Sequence, residues 1–177
     1  MEIQQKKLST RHTFTFGDET FNFAYKDKTG AGDVDLNYAG VPQKCSLRIE
    51  GKDWQRNVGR LRCVLGALQL GIAISAGDPL SGKGFWLLVG ILCLAAHRFA
   101  KVKYSVFNCD GGNVFVIQDK KHTQIVDELL KRRKLQLLAW HGDINLQNDP
   151  AREVQKFNWL HAQGVLSKQE ADTKIAQ

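Results

Sequence analysis

The chain has 177 residues, 43% of them hydrophobic and 24% charged, with a formal net charge of +7. That length holds one ordinary domain and an appendage, and a basic balance directs attention to nucleic acid, an anionic membrane surface or an acidic partner. The four cysteines (Cys45, Cys63, Cys93, Cys109) form no CxxC pair and the five histidines show no HxxxH or HExxH spacing, so neither a zinc site nor a disulfide framework is expected.

The opening stretch MEIQQKKLSTRH is polar and lacks the apolar core of a signal peptide. Residues 12–50 read as β. Phe14 and Phe16 alternate with Thr, and three further alternating runs follow: Phe21, Phe23 and Tyr25; Val34, Leu36 and Tyr38; Cys45, Leu47 and Ile49. This is the period of half-buried strands. Turn residues at 17–19 and 28–32 separate the first three runs, which predicts an antiparallel meander with one solvated face.

Residues 58–77 (VGRLRCVLGALQLGIAISAG) and 84–96 (GFWLLVGILCLAA) break this pattern. Between Cys63 and Ala96 the charged residues are Asp78 and Lys83 alone. A bilayer span needs about 20 apolar residues. The first run reaches that length if Arg60 and Arg62 extend to headgroups, and the second nears it if His97 and Arg98 do so. Buried core helices are the competing reading, but neither run carries a polar face. Arg56, Arg60 and Arg62 precede the first run, and Arg98, Lys101 and Lys103 follow the second. In a hairpin these six lie on one side, and the positive-inside rule places that side in the cytoplasm. Trp54, Trp86 and Tyr104 suit the interfaces, Trp86 near the outer one. The small residues Gly66, Gly71, Ser75 and Gly90 are expected to let the helices approach closely.

The connection GDPLSGKG, residues 77–84, has the GxxxxGK spacing of a phosphate-binding loop. The residue after Lys83 is Gly84 and supplies no hydroxyl for magnesium, and the chain lacks repeated βα units. A soluble nucleotide-binding protein using this loop stands as an alternative. No serine lies in a GxSxG context, and the acidic pairs at 18–19 and 33/35 fall in turns or strand ends. No enzymatic activity, small-molecule substrate, cofactor or metal is expected.

Residues 101–107 and 113–118 predict a second hairpin around the turn 109–112. An amphipathic helix follows at 123–139, with Val126, Leu129, Leu130 and Leu137 on one face and Lys131, Arg132 and Lys134 on another. The run KRRK at 131–134 lacks the interleaved aromatics of a nucleic-acid interface. A solvated helix face accounts for such a run, and beside a membrane Arg132 and Arg133 are the residues expected to contact anionic headgroups, at about 1 kcal/mol each. Residues 141–150 form a linker. In 151–177 the spacing of Val154, Phe157 and Leu160 is helical, Gly164 ends that helix, and Ser167 with Glu170 has capping-box spacing for another.

The tail EVQKFNWLHAQGVLSKQEADTK resembles the SHOCT (short C-terminal) domain, through Leu160, Gly164, Val165, Leu166, Ser167 and Glu170; Ala171 stands where that family usually has an aromatic residue. The resemblance implies oligomerisation or partner binding by the tail, through Phe157, Leu160, Gly164, Val165 and Leu166. The order of the remaining elements is similar to bacterial pleckstrin-homology-like domains: a meander, two more strands, a closing helix. No binding residues carry over from that likeness.

The expected fold class is therefore α+β. Residues 1–57 and 101–140 form a split cytoplasmic PH-like domain, 58–100 a transmembrane hairpin, 141–150 a linker and 151–177 the helical tail. The expected setting is a bacterial inner membrane with both termini cytoplasmic. The expected partners are the lipid bilayer and a protein, or a second copy of the chain, with no nucleic acid. Binding or assembly is the expected role; an immunity protein that neutralises a membrane-acting toxin is the alternative.

Overall fold

A computed structural model describes residues 1–51, 53–145 and 147–176. Lys52 of the expected β-rich segment, Leu146 of the expected linker and Gln177 at the end of the tail lie outside the described residues. The chain forms two compact units, Met1–Arg48 with Tyr104–Gln177, and Ile49–Lys103. The class is α+β, with antiparallel pairing in the sheets.

In the first unit, four strands pair in sequence order: β1 (Glu2–Lys7), β2 (Thr10–Phe16), β3 (Thr20–Lys26) and β4 (Ala31–Asn37). The alternating aromatics set the register. Phe14 opposes Phe23 and Phe16 opposes Phe21, while Phe21 opposes Leu36 and Phe23 opposes Val34. A one-residue slip would turn this whole set to solvent, so the register is strongly specified. A 3-10 turn (Tyr38–Gly40) leads to β5 (Ser46–Glu50), which neighbours β6 (Val102–Cys109) in a second sheet completed by β7 (Gly112–Ile117). Phe107, Val114 and Val116 meet Phe14, Phe21 and Tyr38 in one core, closed by Ile125 and Leu129 of α3 (His122–His141).

β1 was not expected from the sequence. Ile3 is its one strongly apolar inward residue, and the next inward position is Gln5, which is 1% exposed. Gln5 acts as a piece of backbone. Its Nε2 donates to the Ile117 carbonyl at 2.7 Å, and its Oε1 accepts from the Ile117 N–H at 2.9 Å. The first strand is thereby clasped to the last, and a strand end that would otherwise bury unsatisfied groups is paired.

The tail comprises α4 (Pro150–Ala162) and α5 (Lys168–Ile175). Asp149 caps α4, with Pro150 in its first turn. Gly164 takes φ +69°, the Gly164 N–H bonds the His161 carbonyl at 2.8 Å and the Val165 N–H bonds the Leu160 carbonyl at 3.0 Å. This is the double closure of a Schellman C-cap, which a left-handed glycine permits. Ser167 and Glu170 form the reciprocal capping box at 3.2 and 2.7 Å.

The second unit holds α1 (Asp53–Ala76) and α2 (Phe85–Phe99), packed on each other and joined by residues 77–84.

Candidate functional site

α1 has two opposed faces. Gly59, Gly66 and Ala73 are its buried residues, seven apart, and so lie on one side of the helix. Leu61, Val64, Leu65, Leu68 and Ile72 lie on the other side, and each is more than half exposed. A helix folded for water shows the reverse, large apolar side chains inward and polar ones outward. α2 repeats the arrangement: Gly90 is buried, whereas Leu88, Ile91 and Leu92 are exposed.

The small residues bring backbone against backbone. A Cβ on Gly66 would fall 2.4 Å from the Leu87 nitrogen. One on Gly90 would fall 2.7 Å from the Cys63 nitrogen and 2.9 Å from the Gly59 oxygen, and one on Gly59 would meet Leu94 at 2.9 Å. Gly66 and Gly90 therefore pack the hairpin as their size suggests. Gly71 and Ser75 do not. Nothing lies within 4 Å of a Cβ on Gly71, and Ser75 is exposed, its hydroxyl bonded to the Ile72 carbonyl at 2.9 Å. They miss the face because five residues on from Gly66 is roughly 140° around the helix and nine residues on is roughly 180°. Gly59, missed in the sequence, was signalled by its heptad spacing to Gly66 and Ala73.

With Leu87 against Gly66 and Leu94 against Gly59, α2 begins level with about residue 68 of α1. The last two turns of α1 run on beside the connection. α1, of 24 residues, is about 36 Å long, and α2, of 15, about 22 Å. Among the described residues α1 is the one helix long and apolar enough to cross a membrane, and α2 is a shorter apolar helix.

The expected basic set divides. Arg60, Arg98, Lys101 and Lys103 are exposed within the second unit. Arg56 is half-buried, 3.5 Å from Asp53. Arg62 departs from the base: its guanidinium lies 5.4 Å from the centre of the Trp86 ring, the residue expected near the opposite face. Asp78 and Lys83 form an ion pair at 2.7 Å in the connection. That pairing occupies the lysine of the phosphate-loop pattern, and the segment preceding the loop is helix α1, whereas a phosphate-binding loop follows a strand.

Arg132 and Arg133 are corrected more sharply. Arg133 is 4% exposed; it donates to the Val41 carbonyl at 2.5 Å and to the Gln163 carbonyl at 3.0 Å, and burial pushes its pKa down. Arg132 is folded over the Phe16 and Tyr38 rings and bonds the Gly17 carbonyl and Glu128. Their guanidiniums satisfy carbonyls at loop ends, so neither is presented to headgroups. Beside them buried Gln136 accepts from the Ala39 N–H and donates to the Glu19 carbonyl, both at 2.7 Å. One face of α3 thus ties two turns and the tail together through hydrogen bonds.

The five tail residues expected to meet a partner are likewise turned inward, apart from Gly164. Phe157, Leu160, Val165 and Leu166 form an internal cluster with Leu137 and Ala171. Gly164 lies against Gln43, whose amide nitrogen would be 2.2 Å from a Cβ there. The tail buries these side chains against its own body.

Among the described residues no cluster of His, Cys, Asp or Glu is placed to hold a metal ion. The chain matches no protein-family model, no curated protein and no solved structure.

Proposed function

We propose that this protein anchors in a bacterial inner membrane through the α1–α2 hairpin and acts there in binding or assembly, with the β-rich unit and tail on the cytoplasmic side. The observation that carries the reading is the inverted polarity of the hairpin. Gly59, Gly66, Ala73 and Gly90 are buried in the seam between the helices, while Leu61, Val64, Leu65, Leu68, Ile72, Leu88, Ile91 and Leu92 are each more than half exposed. Such a surface in water marks an interaction site, and lipid covers it without any further side chain. The ion-paired Asp78 and Lys83 at the turn carry no net charge to the far side. The exposed Arg60, Arg98, Lys101 and Lys103 favour a cytoplasmic base. The length of α2 sets a condition. Its 22 Å falls about 8 Å short of a 30 Å hydrocarbon core, so the connection enters the interface or the bilayer thins locally, at fractions of a kcal/mol per Å.

The four-stranded meander, the three-stranded sheet and the closing α3 support the likeness to pleckstrin-homology-like domains, with the hairpin inserted between β5 and β6. The C-cap at Gly164 and the capping box at Ser167 support the SHOCT likeness. Its buried apolar set directs any partner to the outside of the tail, where Val154 and Trp159 are exposed.

Carbonate extraction of membranes carrying the tagged chain tests the anchor. Retention in the pellet is expected; release into the supernatant overturns the reading.

A further inference from the structure

A groove of about 350 Å³ opens between the end of α3, α4 and the turns that follow β4 and β6. Its chemistry is unlike the rest of the chain. The protein has 25 Lys and Arg against 18 Asp and Glu, yet among the described residues the groove is lined by Asp35 and Asp110 and by no Lys or Arg. Two of the four tryptophans also line it, Trp140 and Trp159, 55% and 43% exposed. Exposing two large aromatic rings at one place is costly in water unless something stacks on them.

The rings form a corner. The His141 ring meets both indoles edge to face, at 88° to Trp159 with centres 5.6 Å apart and at 90° to Trp140 with centres 6.4 Å apart. Exposed indole faces and carboxylates lining one groove attract an organic cation through ring and charge together. The Cys109 thiol in the same groove is pushed up to about 11 by its burial and by Asp110, so it stays neutral and competes for no charge. The volume is at the lower end of the range for specific small-group sites and exceeds a bare ammonium. A planar guanidinium matches these walls best, since it stacks on an indole and pairs with a carboxylate at the same time.

We infer that the Trp140–Trp159 groove is a binding site for an arginine side chain presented by a basic segment of a partner protein, with Asp35 and Asp110 as its counter-charges. The site belongs to the first unit and does not depend on the hairpin's lying in a bilayer.

The test uses the full chain in nonionic detergent micelles, with the indole N–H signals of all four tryptophans assigned in the NMR spectrum. Acetyl-arginine amide is titrated in, with acetyl-citrulline amide as the uncharged isostere and tetramethylammonium as the compact cation. Saturable shifts of Trp140 and Trp159, with Trp54 and Trp86 unmoved, are expected for the arginine probe alone. Asp110→Asn and Trp159→Leu each weaken that binding about tenfold, as loss of one ionic or one cation–π partner implies. Both positions are exposed, so the variants keep the fold, which an unchanged spectrum elsewhere verifies. Equal shifts with citrulline, no saturation, or full binding by the Asp110→Asn chain overturn the inference. Tighter binding of tetramethylammonium than of arginine also overturns it and makes the groove a quaternary-ammonium site.

Discussion

Replacing Gly66 by alanine separates close helix packing from mere tolerance of glycine. The added Cβ lies 2.4 Å from the Leu87 nitrogen and 2.8 Å from its Cα, both backbone atoms that no rotamer change can move. Ordinary contact is about 3.5–4.0 Å, so the helices must part by roughly 1 Å, and a gap of that size forfeits a quarter to a half of each dispersion contact along the seam. Overpacking of this kind costs about 1–3 kcal/mol, and a rigid obstacle belongs to the upper half of that range. Alanine's better helix propensity offsets about 1 kcal/mol, which leaves a net loss of about 1–2 kcal/mol. Gly71→Ala is the internal control. It meets nothing within 4 Å, so propensity acts alone and the variant gains up to about 1 kcal/mol. The assay is dodecyl sulfate unfolding of the full chain in nonionic micelles, followed by Trp86 fluorescence with the other three tryptophans replaced by phenylalanine. A Gly66→Ala chain as stable as Gly71→Ala would refute the packing described for the hairpin.

Gln5→Leu strands the buried N–H and carbonyl of Ile117 and costs about 2–4 kcal/mol, read as a lower denaturant midpoint of the β-rich unit. Arg133→Met removes the donors to Val41 and Gln163 at a similar cost of about 2–4 kcal/mol, and faster proteolysis within 142–149 reports the loosened tail. His12 is buried beside Phe23 and Tyr104, and burial lowers its pKa below 6.5, more than the Phe115 carbonyl and Asp27 raise it. Below pH 6.5 the unfolded chain binds a proton that the folded chain refuses. Stability is therefore full above pH 6.5 and falls as pH drops towards the folded value. His12→Gln flattens that slope in thermal melts between pH 5 and 7, and an unchanged slope contradicts the assignment.

What was legible in the sequence was local. Strand alternation in Phe14–Phe16, Phe21–Phe23 and Val34–Leu36 located three strands, and Gly164, Ser167 and Glu170 announced the tail's caps within a few residues. Much of what was missed depends on distant partners. Gln5 is an ordinary polar residue until Ile117, 112 positions away, comes to meet it. Arg133 shares the buried stripe of Ile125, Leu129 and Leu137, but its charge reads as solvated because its acceptors come from other elements. Gly59, Gly66 and Ala73 show a heptad in plain view, whereas Gly71 and Ser75 drew attention by size without regard to face. Trp140 and Trp159 lie 19 positions apart, and the groove between them exists only once α4 has folded back on α3.

The membrane reading is tested most directly at the turn of the hairpin. All four cysteines are replaced by serine and Ser81→Cys is introduced into the connection, which is exposed. Intact spheroplasts are then treated with a membrane-impermeant maleimide, beside a control chain carrying its cysteine at Ser9. Labelling of position 81 without lysis, and of position 9 only after lysis, is the predicted result. Labelling of neither position before lysis and both after it contradicts a hairpin that crosses the bilayer.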